Sequence, residues 1–258
     1  MKNYIQNKTA LITGASWGIG EQLAYDLATL EVNLILCSRD MKRLESIKKD
    51  ILSKNNAINI DIYQLDVQNK EDVQQVIDSI DKDIDILVNN AGLALGLEAI
   101  DQGSTDNWEQ MIDTNIKGLL YVSREVIPNM RKLQTAHIVN IGSVAGKSAY
   151  PNGNVYCATK AAVHSLGESM NADLYGTNIK VTTIAPGAVE TNFSTIRFDG
   201  DTQKAKSVYD GYTPLNAEDI SQAIINVLNT PPHVNIQYLD IMPTAQRNPY
   251  LLYREKLQ

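Results

Sequence analysis

Thr9-Ala10-Leu11-Ile12-Thr13-Gly14-Ala15-Ser16-Trp17-Gly18-Ile19-Gly20 is the stretch whose reading decides the fold. Its first five residues are mostly apolar and read as a short buried strand; Leu23, Leu27 and Leu30 then recur at helical spacing. Strand, glycine turn and helix start together form an anion-binding arrangement. The first N–H groups of a helix have no internal partner, and the positive end of its dipole faces whatever lies there. Glycine is needed where the backbone turns tightly or must approach a pyrophosphate. The spacing is G-x-x-x-G-x-G, distinct from the common dinucleotide pattern G-x-G-x-x-G. Gly14, Ser16, Trp17, Gly18, Ile19 and Gly20 are therefore expected to contact a dinucleotide. A merely structural turn is the competing reading, and the residues downstream weigh against it.

A second strand, Asn33 to Cys37, ends in Ser38-Arg39, nineteen residues beyond Gly20. A dinucleotide fold places an acid here when it binds the free ribose hydroxyls of NAD. Instead, Ser38 offers a hydrogen bond and Arg39 a charged fork, which suits the 2′-phosphate of NADP; Asp40 is a competing ribose ligand. Met41 to Lys54 reads as a helix charged on one face. A third strand, Ile58 to Leu65, leads to Asp66-Val67, placed to bracket an adenine ring; Asp66 equally suits the cap of a helix over Asn69 to Ile80. A fourth strand, Ile84 to Val88, ends in Asn89-Asn90-Ala91-Gly92; Asn89, Ala91 and Gly92 are expected beside the cofactor, and asparagine side chains can also tie neighbouring strands together. Strands and helices alternate with short connections, so the expected class is α/β: a doubly wound parallel sheet covered on both faces, a three-layer α/β/α sandwich.

One long helix is expected over Asp106 to Arg131, with Met111, Asn115, Leu119 and Val122 on one side. A buried amide on that stripe needs partners, either the backbone or a water that connects Lys160 to solvent. His137 to Ile141 reads as a buried strand, and Ser143 stands at its end. Tyr156 and Lys160 follow, four apart at the start of a helix that continues to about Tyr175. A phenol titrates near pH ~10, too high for work at neutrality. An ammonium held close favours the phenolate, so Tyr156 can exchange a proton with an alcohol or alkoxide while Ser143 donates to the same oxygen. Alone, Tyr156 and Lys160 also fit an ordinary helical pair.

After a strand over Ile179 to Ile184, the turn Pro186-Gly187-Ala188-Val189-Glu190-Thr191 is suited to meet a nicotinamide carboxamide, through Pro186, Gly187, Val189 and Thr191. Residues 192–212 are polar and without strong periodicity, which marks a substrate loop. Arg197 is its first candidate anion binder, ahead of Lys204 and Lys206. A last helix over Ala217 to Leu228 and a last strand over Asn235 to Met242 lead into a tail, 243–258, where Tyr250, Leu251, Leu252 and Tyr253 suggest packing against the domain or another subunit.

No linker, repeat or low-complexity block interrupts the 258 residues, so one domain spanning 1–258 is expected. The net charge of -7 gives no electrostatic footprint for nucleic acid or an anionic membrane. Met1 to Lys8 holds no apolar signal region and no run approaches a bilayer span, so a cytoplasmic location is expected. Cys37 and Cys157 make no disulfide framework; Cys157 is either reactive or a small packing residue. His137, His164 and His233 lack ligand spacing, so no metal is expected.

T-G-A-S-W-G-I-G at 13–20, N-N-A-G at 89–92, Asn115, Ser143, Y-C-A-T-K at 156–160 and P-G at 186–187 occur here in order. The set resembles the short-chain dehydrogenase/reductase family over nearly the whole chain. The resemblance implies a Rossmann-type sheet of seven parallel strands in a homotetramer. It also implies roles: Tyr156 as acid/base, Lys160 lowering its pKa and holding the nicotinamide ribose, Ser143 orienting the substrate oxygen, and Asn115 supporting a proton relay. Position 17 is often Arg in NADP-using members and is Trp here, so phosphate selectivity rests on Ser38 and Arg39. Residues 89–96, 111–115, 153–156, 197–201 and 239–243 are further similar to the NADP-dependent 3-hydroxy acid dehydrogenases, a group that includes serine and allo-threonine dehydrogenases. That similarity implies a small hydroxy acid or its carbonyl form as substrate, contacted by Ser143 and Tyr156 with Arg197 on its carboxylate. A broad carbonyl or 3-oxoacyl reductase, and a non-catalytic cofactor-binding protein, are the alternatives.

Overall fold

A computed structural model describes residues 3–255; residues 1–2 and 256–258, the ends of the expected domain and tail, lie outside the described residues. Seven strands make one parallel sheet: β1 (Thr9–Thr13), β2 (Asn33–Ser38), β3 (Ile60–Gln64), β4 (Ile86–Asn89), β5 (Ala136–Ile141), β6 (Ile179–Pro186) and β7 (Tyr238–Ile241). Their order across the sheet is β3-β2-β1-β4-β5-β6-β7. The expected doubly wound architecture is therefore present.

The central strands feed two cores because successive side chains point to opposite faces. Ala10, Ile12, Leu34 and Leu36 join one core, packed under α1 (Gly18–Thr29), α2 (Met41–Lys54) and α9 (Ala217–Leu228). Leu11, Ile35 and Cys37 join the other, under α3 (Lys70–Asp78), α5 (Leu119–Met130) and α6 (Asn154–Asp173). Strands buried on both faces explain the continuous apolar runs. Truncating a fully buried member such as Leu11 costs about 2–5 kcal/mol.

Two expectations change. The long helix over Asp106 to Arg131 is three pieces: α4 (Thr105–Ile112), a π-helical turn (Asp113–Gly118) and α5. Asn115 sits in the π turn, a local widening that often accompanies functional sites. The segment 192–212 is not structureless, since it folds α7 (Phe193–Arg197) and α8 (Thr202–Ser207), each too short for a periodicity to register.

Candidate active site

A cleft of about 700 Å³ opens beyond the C-terminal ends of the strands, around the point where β1 is flanked by β2 and β4. Gly14, Ser16, Trp17, Gly18 and Ile19 line one end, with Ser38, Arg39, Asp66 and Val67 beyond them. Ala91 and Gly92 line its floor; Ser143, Tyr156 and Lys160, with Pro186, Gly187, Val189 and Thr191, line the other end. Most of the expected site residues thus line one cavity; Gly20, Asn89, Asn115 and Arg197 do not.

The start of α1, like those of α6 and α7, lacks the side-chain cap that several other helices have. Asp40, Asn69, Ser104 and Asn216 each cap a helix with their own side chains, on α2, α3, α4 and α9. At α1 the capping position is Trp17, which makes no such bond, so this helix keeps its terminal donors free for an anion. Gly14 has φ +65°, and a β-carbon on it would lie 2.9 Å from Ala91 Cα. Gly20 corrects its expected role: it is buried outside the cleft, and a β-carbon there would lie 2.5 Å from Gly14 O. It allows turn and helix to pack closely and does not line the cavity.

Asn89 takes the strand-tying role open to an asparagine at this strand end and does not line the cleft. Its Nδ2 donates to Ser123 Oγ and Asn140 Oδ1, both at 2.9 Å, tying β4 to α5 and β5 inside the core. The cleft residue is Asn90, whose Nδ2 donates to Thr13 O and Gly14 O at 3.0 and 3.1 Å. Thr13 Oγ1 accepts from Asn90 N and Ala91 N, both at 3.1 Å, so a Thr–Asn pair clamps β4 to the glycine turn. Asp40 spends its carboxylate on the Arg43 N–H at 3.0 Å. Arg43 itself escaped the sequence reading: its guanidinium stacks 4.4 Å from the Trp17 ring centroid and pairs with Glu21 at 2.5 Å. Its signal was an Arg four residues past Arg39. Asp66 is not a helix cap, since Asn69 caps α3, while Asp66 Oδ1 accepts from Gln68 N at 3.1 Å.

α6 begins two residues before Tyr156, so Tyr156, Lys160 and His164 fall on one stripe. Lys160 is buried and donates from Nζ to Ile141 O at 2.8 Å; burial lowers its pKa to about 8. Ser143 Oγ accepts from Ala145 N at 3.2 Å and donates to Pro186 O at 3.4 Å. The Tyr156 phenol is pushed above its ordinary range, chiefly by desolvation, then by Tyr150; the Ser143 hydroxyl and Arg197 act in the opposite direction. The expectation that Lys160 lowers this pKa does not follow from the geometry: Nζ lies 6.0 Å from the ring centroid and points its hydrogen bond at β5.

Asn115 is fastened to the protein, as one of its two readings held. Its Oδ1 accepts from Leu93 N at 2.9 Å, and its Nδ2 donates to Leu93 O at 2.8 Å and Thr159 Oγ1 at 3.0 Å. Arg197 does not line the cleft. Its Nε donates to Gly96 O at 3.1 Å and its Nη1 to Tyr150 Oη at 2.9 Å, with the guanidinium 5.6 Å from the Tyr156 ring centroid. Asn192, Phe193 and Ile196 form the wall in front of it. Lys204 and Lys206 are exposed on α8. Cys157 is buried and its thiol is pushed up by burial, which favours the packing reading. In the tail, Tyr250, Leu251 and Tyr253 are exposed, whereas Leu252 is partly buried and bridges to Gln246. Gln246 Oε1 accepts from Ala188 N at 2.9 Å and so braces the turn after β6. No helix among the described residues is long and apolar enough to cross a membrane.

Residues 8–201 match the short chain dehydrogenase family, and the chain belongs to it. Within that family it is 43% identical over 240 residues to an NADP-dependent 3-hydroxy acid dehydrogenase of Salmonella typhi, covering 92% of this chain and 95% of that protein. It is 39% identical over 240 residues to sulfoacetaldehyde reductase 2 of Chromohalobacter salexigens, covering 92% and 94%. Among solved structures, the closed form of a serine dehydrogenase complexed with NADP+ superposes with TM-score 0.89 at 41% identity, covering 96% of this chain and 100% of that one.

Proposed function

We propose that this protein transfers a hydride reversibly between NADP(H) and the C3 hydroxyl or carbonyl of short 3-hydroxy acids such as serine, allo-threonine and 3-hydroxypropionate, the last formed from malonic semialdehyde. It is an NADP-dependent oxidoreductase acting on CH–OH groups. The observation that carries the reading is the meeting of Ser143, Tyr156 and Lys160 in the same cleft as the uncapped start of α1, with Arg197 5.6 Å from the Tyr156 ring.

The residues present fit the cofactor. The free N–H groups of α1 and the glycine turn suit its pyrophosphate, and Ser38 and Arg39 suit its 2′-phosphate. Asp66 and Val67 suit the adenine, Lys160 the nicotinamide ribose, and Pro186, Gly187, Val189 and Thr191 the carboxamide. When bound, NADPH supplies the hydride and NADP+ accepts it. The chain's own residues handle the proton. A phenol held above its ordinary range is protonated at neutrality, so Tyr156 is ready to donate to a carbonyl oxygen that Ser143 also contacts. Oxidation needs the phenolate instead. Because the phenol is shifted upward, alcohol oxidation should climb with pH above neutrality, and a pH series of initial rates checks this.

Arg197 is our candidate for the substrate carboxylate. A broader carbonyl reductase is the second reading, favoured by one observation: Arg197 already serves Gly96 and Tyr150, and apolar Leu93, Phe193 and Ile196 line the cleft. The test is NADPH absorbance decay with malonic semialdehyde, beside NADP reduction by L-serine, L-allo-threonine and 3-hydroxypropionate, each repeated with NAD(H). Turnover confined to uncharged ketones would overturn the hydroxy acid assignment. Replacing Tyr156 with Phe should abolish turnover with NADPH binding retained; unchanged turnover would overturn the mechanism. Our reading is completed by one domain, a cytoplasmic location and a homotetramer, the last checked by light scattering of the purified protein.

A further inference from the structure

His164 lies one helical turn below Lys160 on α6, buried beneath the loop that carries Ser143. The loop is shaped around it: a β-carbon on Gly142 would lie 2.7 Å from His164 Nε2, and one on Gly146 would lie 2.6 Å from His164 Cε1. Ser143 N donates to His164 Nε2 at 3.4 Å, so that nitrogen carries the lone pair and the ring proton belongs on Nδ1. Tyr238 Oη lies 3.2 Å from both Nδ1 and Nε2; with Nε2 taken by the Ser143 N–H it is placed to accept from Nδ1, and the two rings meet edge to face at 5.1 Å. Burial first, then the Asp240 carboxylate, push the Tyr238 phenol up, and Asp240 pairs with Lys147 at 2.5 Å. Donor and acceptor directions agree from the Ser143 amide through His164 to Tyr238, with the Asp240–Lys147 pair beyond it. The ring is neutral at working pH: burial first, then Lys160 and Lys147, lower its pKa to about 4, against partial opposition from Asp240 and the Ser143 backbone.

We propose that His164 is a positioning residue for this reaction: its neutral ring accepts the Ser143 N–H and thereby fixes the direction in which the Ser143 hydroxyl meets the substrate oxygen. The inference rests on the reading of Ser143 given above. A misplacement of about 1 Å in a group that orients substrate can cost on the order of 100-fold in rate. The backbone amide anchors the residue whose side chain works, so loss of the acceptor should reach the chemistry through Ser143 alone. The size of the effect depends on how far the loop relaxes; a fall of about tenfold or more in kcat is expected.

The experiment is a double-mutant cycle on malonic semialdehyde reduction, with hydrogen exchange of the NADPH complex measured beside it. His164→Phe, similar in bulk but without an acceptor, should lower kcat about tenfold or more while KM for NADPH stays within about twofold. His164→Gln, whose amide oxygen can stand where Nε2 stands, should recover most of that loss. In a Ser143→Ala background the His164→Phe penalty should shrink to about twofold or less, because coupled residues are non-additive. Amide exchange over 142–147 should quicken in His164→Phe and not in His164→Gln. If His164→Phe folds poorly, Tyr238→Phe removes one hydroxyl and should give a smaller loss that likewise disappears in the Ser143→Ala background. A full penalty retained without the Ser143 hydroxyl, a glutamine variant as impaired as the phenylalanine one, or unchanged exchange would overturn the proposal. A Ser143→Ala protein with normal turnover, or a wild type inert toward malonic semialdehyde, would instead overturn the functional reading beneath it, and the exchange data would still decide whether His164 holds the loop.

Discussion

The cofactor side of the cleft, from Thr13 to Gly92, is made largely of backbone, whereas the substrate side, from Leu93 to Gly96 and from Ser143 to Arg197, is made of side chains that lean on one another. On the first side the geometry comes from glycine φ angles, strand ends and one uncapped helix, all decided within a few residues along the chain. On the second, Arg197 is held by Gly96 and Tyr150, 101 and 47 residues away along the chain, and Asn115 is held by Leu93 and Thr159, 22 and 44 residues away. A backbone site is robust and readable; a side-chain site is adjustable and depends on distant partners. Variation of specificity over a constant cofactor site follows from that division.

The largest expected effect tests the residue where both sides meet. Lys160→Met should cut turnover by about 1,000-fold or more and yet stabilise the cofactor-free protein, raising its thermal midpoint by about 2–4 °C for each kcal/mol gained. The reason is that burial has lowered this ammonium to about 8, so the folded state holds the charge at a cost below that pH. The unfolded lysine keeps its proton to ~10.4, so wild-type stability should rise with pH between about 8 and that value, and the methionine variant should lack the rise. Calorimetry across that window checks the sign.

Next, Arg39→Ala should raise KM for NADPH by roughly 10- to 100-fold and leave NADH almost unaffected, since a charge-assisted pair is worth ~1.5–3 kcal/mol. An equal loss with both cofactors would make Arg39 structural and shift attention to Arg43. On the substrate side, Arg197→Ala should weaken carboxylate substrates about tenfold in kcat/KM while sparing uncharged ketones. If the two substrate classes fall together, Arg197 acts by holding Tyr150 and the loop at Gly96, and the comparison between the two sides sharpens further. The smallest effect is expected from Cys157→Ala, which should stay within about twofold of wild-type turnover and cost about 1 kcal/mol of stability for a small buried side chain. Steady-state kinetics and a urea titration suffice for it.

Legibility followed the same division. Thr9–Thr13, Met41–Lys54 and Ala217–Leu228 are observed with the bounds that periodicity and turn residues imply. The glycine turn could be read because strand, turn and helix start are neighbours in sequence. Asn89 and Asn90 show where such reading stops: both end β4, but the alternation of the strand sends Asn89 into the core and leaves Asn90 facing Thr13 and the cleft. Choosing between them needs the register. Arg43 was hidden for a related reason, since its stacking on Trp17 joins two helices that only the sheet brings side by side. The π turn at Asn115 carries no sequence signal of its own, because a single inserted turn leaves the surrounding helical pattern almost unchanged.

The sequence by itself determined the order of strands and helices, the parallel sheet, the anion-ready start of α1, and the presence of Ser143, Tyr156 and Lys160 at the ends of elements that face one cleft. Local propensity, period and turn chemistry carry that information. Tertiary structure alone decided the electrostatics: a Tyr156 phenol raised by desolvation, a Lys160 ammonium lowered by burial and aimed at Ile141, and a His164 ring set beneath Ser143. A pKa and a hydrogen-bond direction depend on which groups exclude water from one another, and the residues that do so here come from segments well separated in the chain, from Ile141 to Asp240.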